Sequence, residues 1–480
     1  MQPTTSDLFK PASFIGGEWI TSNTTFAVTN KATGELLADV ADASQAHMTQ
    51  AVQAAKSAFA SWAALPAPNR AQLLRKWYEL MIAKRDELAE LLTLEQGKPL
   101  AEAKGEITYG AGYIEWFAEE ARRLDGDIIP ANSTGQRIHV TRHPVGVVGA
   151  ITPWNFPNAM ITRKAAAALA AGCTFVVKPA RETPLSALAL AALAKEAGIP
   201  AGVINVVTGT DSKALGKVLT ESPDVAKFSF TGSTRVGKLL AADCTSTMKR
   251  VSMELGGNAP FVVFDDADID AAVNGAMLAK FRNAGQTCVC ANRFLIHQDV
   301  EEQFTARLTA KITELKMGNG MDSDTTIGPL ITPNAAENVH KLVTAAIEQG
   351  ALLRVGGNWT AGNFYPPTLL TGVSPDMDIV SEEIFGPVVT IMTFSDDAEA
   401  AVLANATEYG LASYFYSQNI GRIHRFADAL QFGMVGINEG AISNPAAPFG
   451  GVKESGYGRE GSKYGLDDYS FIQYRCLGGI

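Results

Sequence analysis

Residues 145–178 read VGVVGAITPWNFPNAMITRKAAAALAAGCTFVVK, which is an apolar run, a loop with two prolines, an alanine-rich run and a second apolar run. The two ends, Val145 to Ile151 and Thr174 to Lys178, have the β-branched composition of buried strands. The alanine-rich middle, Ala159 to Ala171, favours a helix. This order of strand, helix and strand predicts a right-handed βαβ unit in a parallel sheet.

The same alternation extends along the chain in two regions. A helix at Leu185 to Gly198 and strands at Val203 to Val207 and Lys227 to Phe230 complete the first region. A second alternating region runs from 260 to about 438. Two such regions in a chain of 480 residues predict an α/β protein with two open domains. Ligands of parallel sheets bind at the carboxyl ends of the strands.

The segments outside these regions have other patterns. Apolar residues at helical spacing predict helices at Ser44 to Ala63, Asn69 to Leu92 and Leu100 to Leu124. Residues 127–143 predict a protruding hairpin, and Tyr469 to Leu477 predict a last strand that needs a pairing partner.

Composition limits the possible partners. A formal net charge of −10 argues against nucleic acid or an anionic membrane as a partner. No apolar run approaches the roughly 18 residues of a membrane span, and the N-terminus lacks the basic-then-apolar pattern of a signal peptide, so we expect a cytoplasmic protein. The five cysteines, an odd number, fit reduced thiols. Scattered histidines and the lack of a second close cysteine pair predict no metal site.

One cysteine, Cys288, lies in a segment of the kind that usually carries reactive groups. The segment FRNAGQTCVCAN, residues 281–292, joins a predicted helix, Ile269 to Arg282, to a predicted strand, Arg293 to His297. Cys288 therefore lies in a connection between two elements. An inert cysteine can occupy the same position, so position alone does not decide between the two interpretations.

Other candidate residues follow predicted strands. Gly232 to Lys238 matches the phosphate-loop pattern GxxxxGK, but Leu239 replaces the Ser or Thr that holds magnesium, which disfavours a nucleotide triphosphatase. The turn can still bind a phosphate through backbone N–H groups and Ser233. Glu254 has the position of a movable general base, and Asn155 can donate to an oxyanion. The fingerprint GxGxxG is absent after the first strand, so any NAD(P) site is not the usual Rossmann one.

Seven motifs occur in the order found in the aldehyde dehydrogenase superfamily, which the chain resembles over nearly its whole length. They are TPWNFP (152–157), KPARETP (178–184), FTGST (230–234), MELGGNAP (253–260), GQTCVC (285–290), EEIFGPV (382–388) and PFGGVKESGYGREG (448–461).

The resemblance implies an aldehyde dehydrogenase-like fold with two open α/β domains and an oligomerisation arm. The implied ranges are a cofactor-binding domain at 1–124 and 145–253 with part of 445–465, a catalytic domain at 254–444, and a β-strand arm at 125–144 and 466–480. Because such arms pair across subunits, the resemblance also implies a homodimer or homotetramer.

The resemblance assigns the chemistry as well. Cys288 is similar to the nucleophile that attacks the aldehyde carbon to form a thiohemiacetal, with Asn155 and the Cys288 N–H as the oxyanion hole. Hydride transfer to nicotinamide leaves a thioester, and Glu254 resembles the base that activates water to hydrolyse it. The residues implied to bind the cofactor are Thr152, Trp154, Lys178, Arg181, Gly209, Ser233, Leu255, Glu383 and Phe385.

Arg181 indicates which cofactor to expect. Members of the family that favour NAD often carry a glutamate three residues after the equivalent of Lys178, where it repels a 2′-phosphate. Arg181 can instead pair with that phosphate, so we expect NADP to be preferred, with NAD possible. The neighbouring Glu182 opposes this preference.

Three stretches resemble succinate-semialdehyde dehydrogenases in particular: residues 158–174, 281–283 and 438–444. In that group two arginines and a serine hold the far carboxylate of the substrate. The substrate-binding residues implied here are Arg163, Arg282, Ser443, Phe156 and Phe449. Ala441 and Pro445 depart from the pattern and can reshape the mouth of the pocket, so glutarate semialdehyde or a broad range of aldehydes stays an alternative.

Two further alternatives remain open in the sequence. Cys290 is close enough to Cys288 for a reversible disulfide, a switch reported for related semialdehyde enzymes, but it can equally pack beneath the loop. A catalytically silent family member with a binding or structural role is the alternative from another class. The presence of Asn155, Glu254 and Cys288 together argues against a silent protein.

Overall fold

The computed structural model describes residues 6–479, which form two large sheets flanked by helices and two small antiparallel sheets. Residues 1–5 and Ile480, at the outer ends of the predicted cofactor domain and arm, lie outside the described residues. No helix in the described part of the chain is both long and apolar enough to cross a membrane.

The first sheet is built around the stretch 145–178. Its strands, in spatial order, are β19 (Gly456–Tyr457), β11 (Arg250–Glu254), β10 (Val225–Thr231), β7 (Val147–Ile151), β8 (Thr174–Lys178), β9 (Ile204–Val206), β1 (Ser13–Ile15) and β2 (Glu18–Ile20). The central strands β11, β10, β7, β8 and β9 run parallel, while β19 and β1 pair antiparallel at either side. Strands buried on both faces fit a sheet with helices on both sides. The predicted first α/β region is confirmed.

The second sheet contains the strand that follows Cys288. Its order is β14 (Leu352–Val355), β15 (Thr368–Thr371), β16 (Val388–Phe394), β13 (Ala291–His297), β12 (Ala259–Val263), β17 (Ala412–Tyr416) and β18 (Met434–Ile437). All neighbours pair in parallel except β14 with β15. The second α/β region is therefore also confirmed.

Helices cover these sheets. They are α1 (Gln45–Ala64), α2 (Ala67–Ala83), α3 (Arg85–Gln96), α4 (Leu100–Glu120), α5 (Ala159–Ala171), α6 (Pro184–Glu196), α7 (Ser212–Glu221), α8 (Thr234–Cys244), α9 (Ile269–Phe281), α10 (Glu301–Thr313), α11 (Pro333–Glu348), α12 (Asp378–Ser381), α13 (Asp397–Asn405) and α14 (Ile420–Ala429). The helix α5 is buried along its whole length, which explains why its sequence is nearly all small or apolar.

The prediction of one helix from Asn69 to Leu92 is wrong, because the helix is interrupted at Lys84. Lys84 has φ −100° and ψ 16° and serves as both the end of α2 and the start of α3. Asp86 and Glu87 lie in the first turn of α3, where their charges stabilise a new helix N-terminus. The apolar spacing continues across this break and conceals it.

Among residues 6–479, two small sheets share no strand with the two large sheets. One pairs β3 (Thr25–Thr29) with β4 (Leu36–Ala41), and the other has the order β20 (Ser470–Gly478), β6 (Gln136–Pro144) and β5 (Asp127–Ile129). The predicted hairpin and last strand are thus confirmed, and they pair with each other. Ile128, Ile472 and Tyr474 are 82%, 62% and 63% exposed. Exposed apolar side chains beside an open strand edge are typical of an interaction surface.

Candidate active site

The carboxyl ends of β7, β10 and β11 meet the Cys288 loop around a cavity of about 260 Å³. Parallel strands place their carboxyl ends at one edge, which explains why motifs far apart in sequence come together. The lining residues are Pro153, Trp154, Asn155, Met160, Thr231, Gly232, Ser233, Leu255, Gly256, Cys288, Glu383 and Phe385. Seven of the residues predicted for the site are among them.

An unusual turn delivers Cys288 to this cavity. Asn283 and Ala284 both have φ 53° and Gly285 has φ 76°, so three successive residues are left-handed. A side chain on Gly285 would collide with the Gly386 carbonyl. Non-glycine residues in this conformation cost on the order of 1–3 kcal/mol each unless the surroundings fix them.

Hydrogen bonds fix the turn to the loop that carries Asn155. The Asn283 side chain donates to the Asn155 carbonyl at 3.0 Å and to the Gln286 carbonyl at 3.2 Å. The Asn155 side chain donates to the same Gln286 carbonyl at 3.0 Å. The Cys288 backbone N–H, by contrast, takes part in no hydrogen bond among residues 6–479. It remains available for a ligand oxygen beside the Asn155 amide.

The Cys288 thiol is half-buried and free of any disulfide. Burial raises its pKa to about 12, while the charges of Arg163 and Arg282 act in the opposite direction. Burial therefore disfavours the thiolate, and the two arginines are the groups that favour it.

Glu254, the last residue of β11, is only 2% exposed, and neither carboxyl oxygen has a partner among the described residues. Burial, followed by the neighbouring Glu460, raises its pKa well above the usual range of a glutamate. A side chain added to Gly450 would approach within 3.0 Å of the Glu254 Oε1 atom. An unpaired buried carboxyl is costly, and such groups cluster at functional sites.

Three other lining residues, Trp154, Glu383 and Phe385, fit a nicotinamide cofactor. The rings of Trp154 and Phe385 meet edge to face with centroids 5.6 Å apart. The Glu383 carboxylate accepts from the Gly257 N–H at 3.2 Å, and burial raises its pKa to about 7. Aromatic walls and a carboxylate acceptor suit a flat ring joined to a ribose.

The phosphate-loop pattern at 232–238 has a structural explanation. Ser233 is the residue before α8, where helix N–H groups are open to an anion. A side chain on Gly237 would collide with Leu255, so this glycine permits α8 to pack closely on the cavity wall. Leu239, which replaces the magnesium-binding Ser or Thr of the phosphate-loop pattern, is 58% exposed.

The remaining cofactor candidates lie outside the cavity lining, at the ends of neighbouring strands. The Thr152 N–H donates to the Lys178 carbonyl at 3.2 Å. Lys178 is 2% exposed, and burial lowers its pKa to about 8. Arg181 is exposed, and its Nε donates to Glu182 at 3.0 Å, while Gly209 follows β9.

The two arginines predicted to bind substrate lie against aromatic rings. The Arg163 guanidinium is 4.4 Å from the centroid of Phe449, and that of Arg282 is 5.2 Å from the centroid of Phe156. Arg163 is 1% exposed and its Nη2 has no hydrogen-bond partner among the described residues. Arg282 forms no ion pair within residues 6–479. Ser443 is half-buried in the loop 438–445.

The structure adds charged residues that the sequence analysis missed. Glu460 forms ion pairs with both Arg163 and Lys164. Burial disfavours the Glu460 charge, but Arg163 and Lys164 hold its pKa below the usual range. Lys98 pairs with Glu106 at 2.5 Å and donates to the Asn155 carbonyl at 2.8 Å. Glu460 lies within the last quoted motif and Lys164 follows Arg163, whereas nothing in the sequence pointed to Lys98.

Cys290 is not among the residues that line the cavity. Its Sγ atom lies 3.6 Å from the Lys280 carbonyl oxygen, and the residue is 2% exposed. The disulfide between Cys290 and Cys288 therefore stays a prediction. Across the described residues, no three His, Cys, Asp or Glu side chains are grouped as metal ligands would be.

Three relatives are each at least 52% identical in sequence to this chain. It is 56% identical over 477 residues to the 3-sulfolactaldehyde dehydrogenase of Pseudomonas putida, with 98% of each chain covered. It is 52% identical over 479 residues to the glutarate-semialdehyde dehydrogenase of Pseudomonas putida KT2440, with 99% and 100% covered. It is also 52% identical over 482 residues to the NADP+ succinate-semialdehyde dehydrogenase GabD of Escherichia coli K12, with 100% of both chains covered.

A solved structure agrees with these relatives. The crystal structure of succinate-semialdehyde dehydrogenase from Burkholderia pseudomallei superposes with a TM-score of 0.97 at 53% identity, covering 99% of each chain. Residues 19–474 match the family model described as the aldehyde dehydrogenase family. The chain belongs to the aldehyde dehydrogenase family, whose members are NAD(P)-dependent oxidoreductases that act on small aldehydes.

Proposed function

We propose that this enzyme oxidises succinate semialdehyde to succinate and prefers NADP as the hydride acceptor. The observation that carries the proposal is the pair of guanidinium groups, Arg163 and Arg282, which lie over the rings of Phe449 and Phe156. Phe156 packs on Met160, which lines the cavity with Cys288. Arginine binds a carboxylate through two parallel hydrogen bonds and stays charged at every physiological pH. The proposed substrate therefore has an anionic group at the end opposite the aldehyde.

In the proposed mechanism Cys288 attacks the aldehyde carbon as a thiolate and forms a thiohemiacetal. Its negative oxygen accepts hydrogen bonds from the Cys288 N–H and the Asn155 amide, which the hydrogen bonds around Asn283 hold in place. A bound cofactor would supply the hydride acceptor. Trp154, Phe385 and Glu383 are proposed to orient its ring and ribose, and oxidation of the thiohemiacetal carbon would leave Cys288 carrying a thioester.

Glu254 is the proposed base for the second half of the reaction. Its raised pKa makes the ionised carboxylate a strong acceptor for a proton from water. Because neither carboxyl oxygen is held by a hydrogen bond among residues 6–479, both are available to accept a hydrogen bond from water. Hydrolysis then releases the acid and restores the Cys288 thiol.

The assembly is part of the same proposal. We assign 6–124 and 145–253 with part of 445–465 to cofactor binding, 254–444 to catalysis, and 125–144 with 466–479 to an arm. The exposed apolar residues of β5 and β20 support pairing of this arm across a homodimer or homotetramer. We expect the assembly to be cytoplasmic.

Two other anionic aldehydes are alternative substrates. Glutarate semialdehyde is one methylene longer, which is worth only about 1–3 kcal/mol of discrimination. The 56% identity to a 3-sulfolactaldehyde dehydrogenase favours a sulfonate as a second candidate anion. A sulfonate carries the same single charge as a carboxylate, on three oxygens instead of two, and two arginines can bind either group.

The test compares kcat/KM for the semialdehydes of succinate and glutarate, 3-sulfolactaldehyde and uncharged butanal, each with NADP and with NAD. We expect every anionic aldehyde to exceed butanal by about tenfold or more, which corresponds to about 1.4 kcal/mol. Succinate semialdehyde is expected to give the highest value, and equal values for butanal would contradict the proposal. The order among the three anions identifies the substrate.

Replacing Arg282 by glutamine is expected to raise the KM for succinate semialdehyde and leave the KM for butanal unchanged. The kcat should fall for both aldehydes, because Arg282 also favours the Cys288 thiolate. The loss of a hydrogen-bonded charge costs about 1.5–3 kcal/mol, or roughly tenfold to 150-fold. Arg282 is the better target because replacing Arg163 would leave the buried Glu460 without its ion pair. Arg425→Gln, on the exposed surface of α14, is the matched control. An equal rise in the KM for butanal would show that Arg282 does not act on the anion.

Replacing Arg181 by glutamate is expected to lower kcat/KM for NADP by at least about tenfold and leave that for NAD unchanged or higher. In the parent, the Arg181 Nε donates to the Glu182 carboxylate, which leaves the terminal N–H groups of Arg181 available to bind a phosphate. Arg85→Glu makes the same charge change at an exposed position on α3. A parallel loss with both cofactors would contradict a role in selecting NADP.

A further inference from the structure

Helix α4 runs along the proposed anion pocket. Glu102, Glu106, Tyr109 and Tyr113 are spaced by four, three and four residues, so they share one face of the helix. At one end of this stripe the Glu102 carboxylate accepts from the backbone N–H of Asn283, the residue after Arg282, at 2.7 Å. At the other end a side chain added to Gly461 would approach the Tyr113 ring within 2.9 Å, and Gly461 follows the Glu460 that pairs with Arg163. Tyr109 lies on this face between the two ends.

The surroundings of Tyr109 are those of a pocket wall. Its half-buried side chain packs against Phe156 and Met160; Phe156 lies under Arg282, and Met160 lines the cavity with Cys288. One turn later on α4, a side chain added to Gly112 would approach Pro445 within 3.2 Å. The same face of α4 thus lies beneath the loop that contains Ser443.

The direction of one hydrogen bond leaves the Tyr109 hydroxyl free to donate. The Oη atoms of Tyr109 and Tyr113 are 2.7 Å apart. Tyr113 is fully buried, and its hydroxyl has no other hydrogen-bond partner among the described residues. Buried O–H groups are nearly always paired, so Tyr113 donates to Tyr109. The hydrogen of Tyr109 then points to a different acceptor.

We propose that Tyr109 is a specificity-determining residue whose hydroxyl donates a hydrogen bond to the terminal anionic group of the substrate, between Arg163 and Arg282. Tyr113 is a positioning residue that turns the Tyr109 hydroxyl toward this anion. The inference rests on the proposed function, because it requires an anionic aldehyde in the pocket. It adds an O–H donor to the two arginines and Ser443.

The test is Tyr109→Phe, which removes one oxygen atom and keeps the ring that packs on Phe156. We expect the KM for succinate semialdehyde to rise about tenfold and kcat to change by less than about twofold, because the hydroxyl binds the anion and not the reacting carbon. The KM for butanal should not change. Inhibition by succinate, measured against succinate semialdehyde, should weaken by a similar factor.

Two further variants complete the experiment. Tyr113→Phe should raise the KM for succinate semialdehyde by a smaller factor, since Tyr109 keeps its hydroxyl but loses the partner that orients it. Tyr78→Phe, at a half-buried tyrosine of α2 remote from the pocket, should change nothing.

The outcomes separate this inference from the proposed function. If Tyr109→Phe binds succinate semialdehyde and succinate as the parent does while Arg282→Gln does not, the Tyr109 inference is wrong and the proposed function stands. If the KM for butanal rises equally, Tyr109 only shapes the pocket and the inference is again wrong. A parent enzyme without any preference for anionic aldehydes would overturn both.

Discussion

Replacing Cys288 by alanine is expected to lower kcat on the order of 10⁴-fold or more, because no other group can form the covalent intermediate. The same cavity is lined by this thiol, Asn155 and the residues proposed to bind nicotinamide. The assay follows absorbance of the reduced cofactor with succinate semialdehyde. Cys476→Ala, in the exposed arm strand, is the matched control and should keep full activity. Residual activity in Cys288→Ala above about one per cent of the parent would contradict covalent catalysis by this thiol.

Replacing Glu254 by glutamine is expected to lower the steady-state kcat by about 10²–10³-fold while sparing the first turnover. Hydride transfer precedes thioester hydrolysis, so one equivalent of reduced cofactor per site should still form rapidly. Stopped-flow absorbance separates this burst from the slow phase. A variant that loses the burst together with the steady state would show that Glu254 acts before or during hydride transfer.

The pH dependence of the parent enzyme should reflect the same role of Glu254 in the second half of the reaction. A carboxyl group with a raised pKa stays protonated, and inactive as a base, until the pH rises through that pKa. Steady-state kcat should therefore rise with pH through a value well above the usual glutamate range. Glutamine cannot titrate, so this acidic limb should be missing from the slow phase of Glu254→Gln.

The sequence predicted the sheets well because buried strands have a strong local signal. The strand β8 begins and ends at the predicted residues, since a β-branched run bounded by loops leaves little choice of boundary. Helix ends were harder to predict. The break at Lys84 depends on helix-end charges in α3 and not on a change in apolar spacing.

The candidate site could be predicted to the level of its motifs but not of its charges. Trp154, Ser233 and Cys288 follow strands or helices whose ends meet at one edge, so they come together as the resemblance implied. The ion pair of Arg163 with Glu460 joins residues almost 300 positions apart. The raised pKa values of Cys288 and Glu254 arise from burial, which no local pattern in the sequence records.

The most direct measurement is the mass of Glu254→Gln after mixing with succinate semialdehyde and NADP. Slow hydrolysis should leave one succinyl group per chain, and fragmentation should place it on Cys288, with one NADPH formed for each group attached. An unmodified protein that has nevertheless formed NADPH would contradict the central claim of a thioester at Cys288. A succinyl group on another residue would contradict it as well.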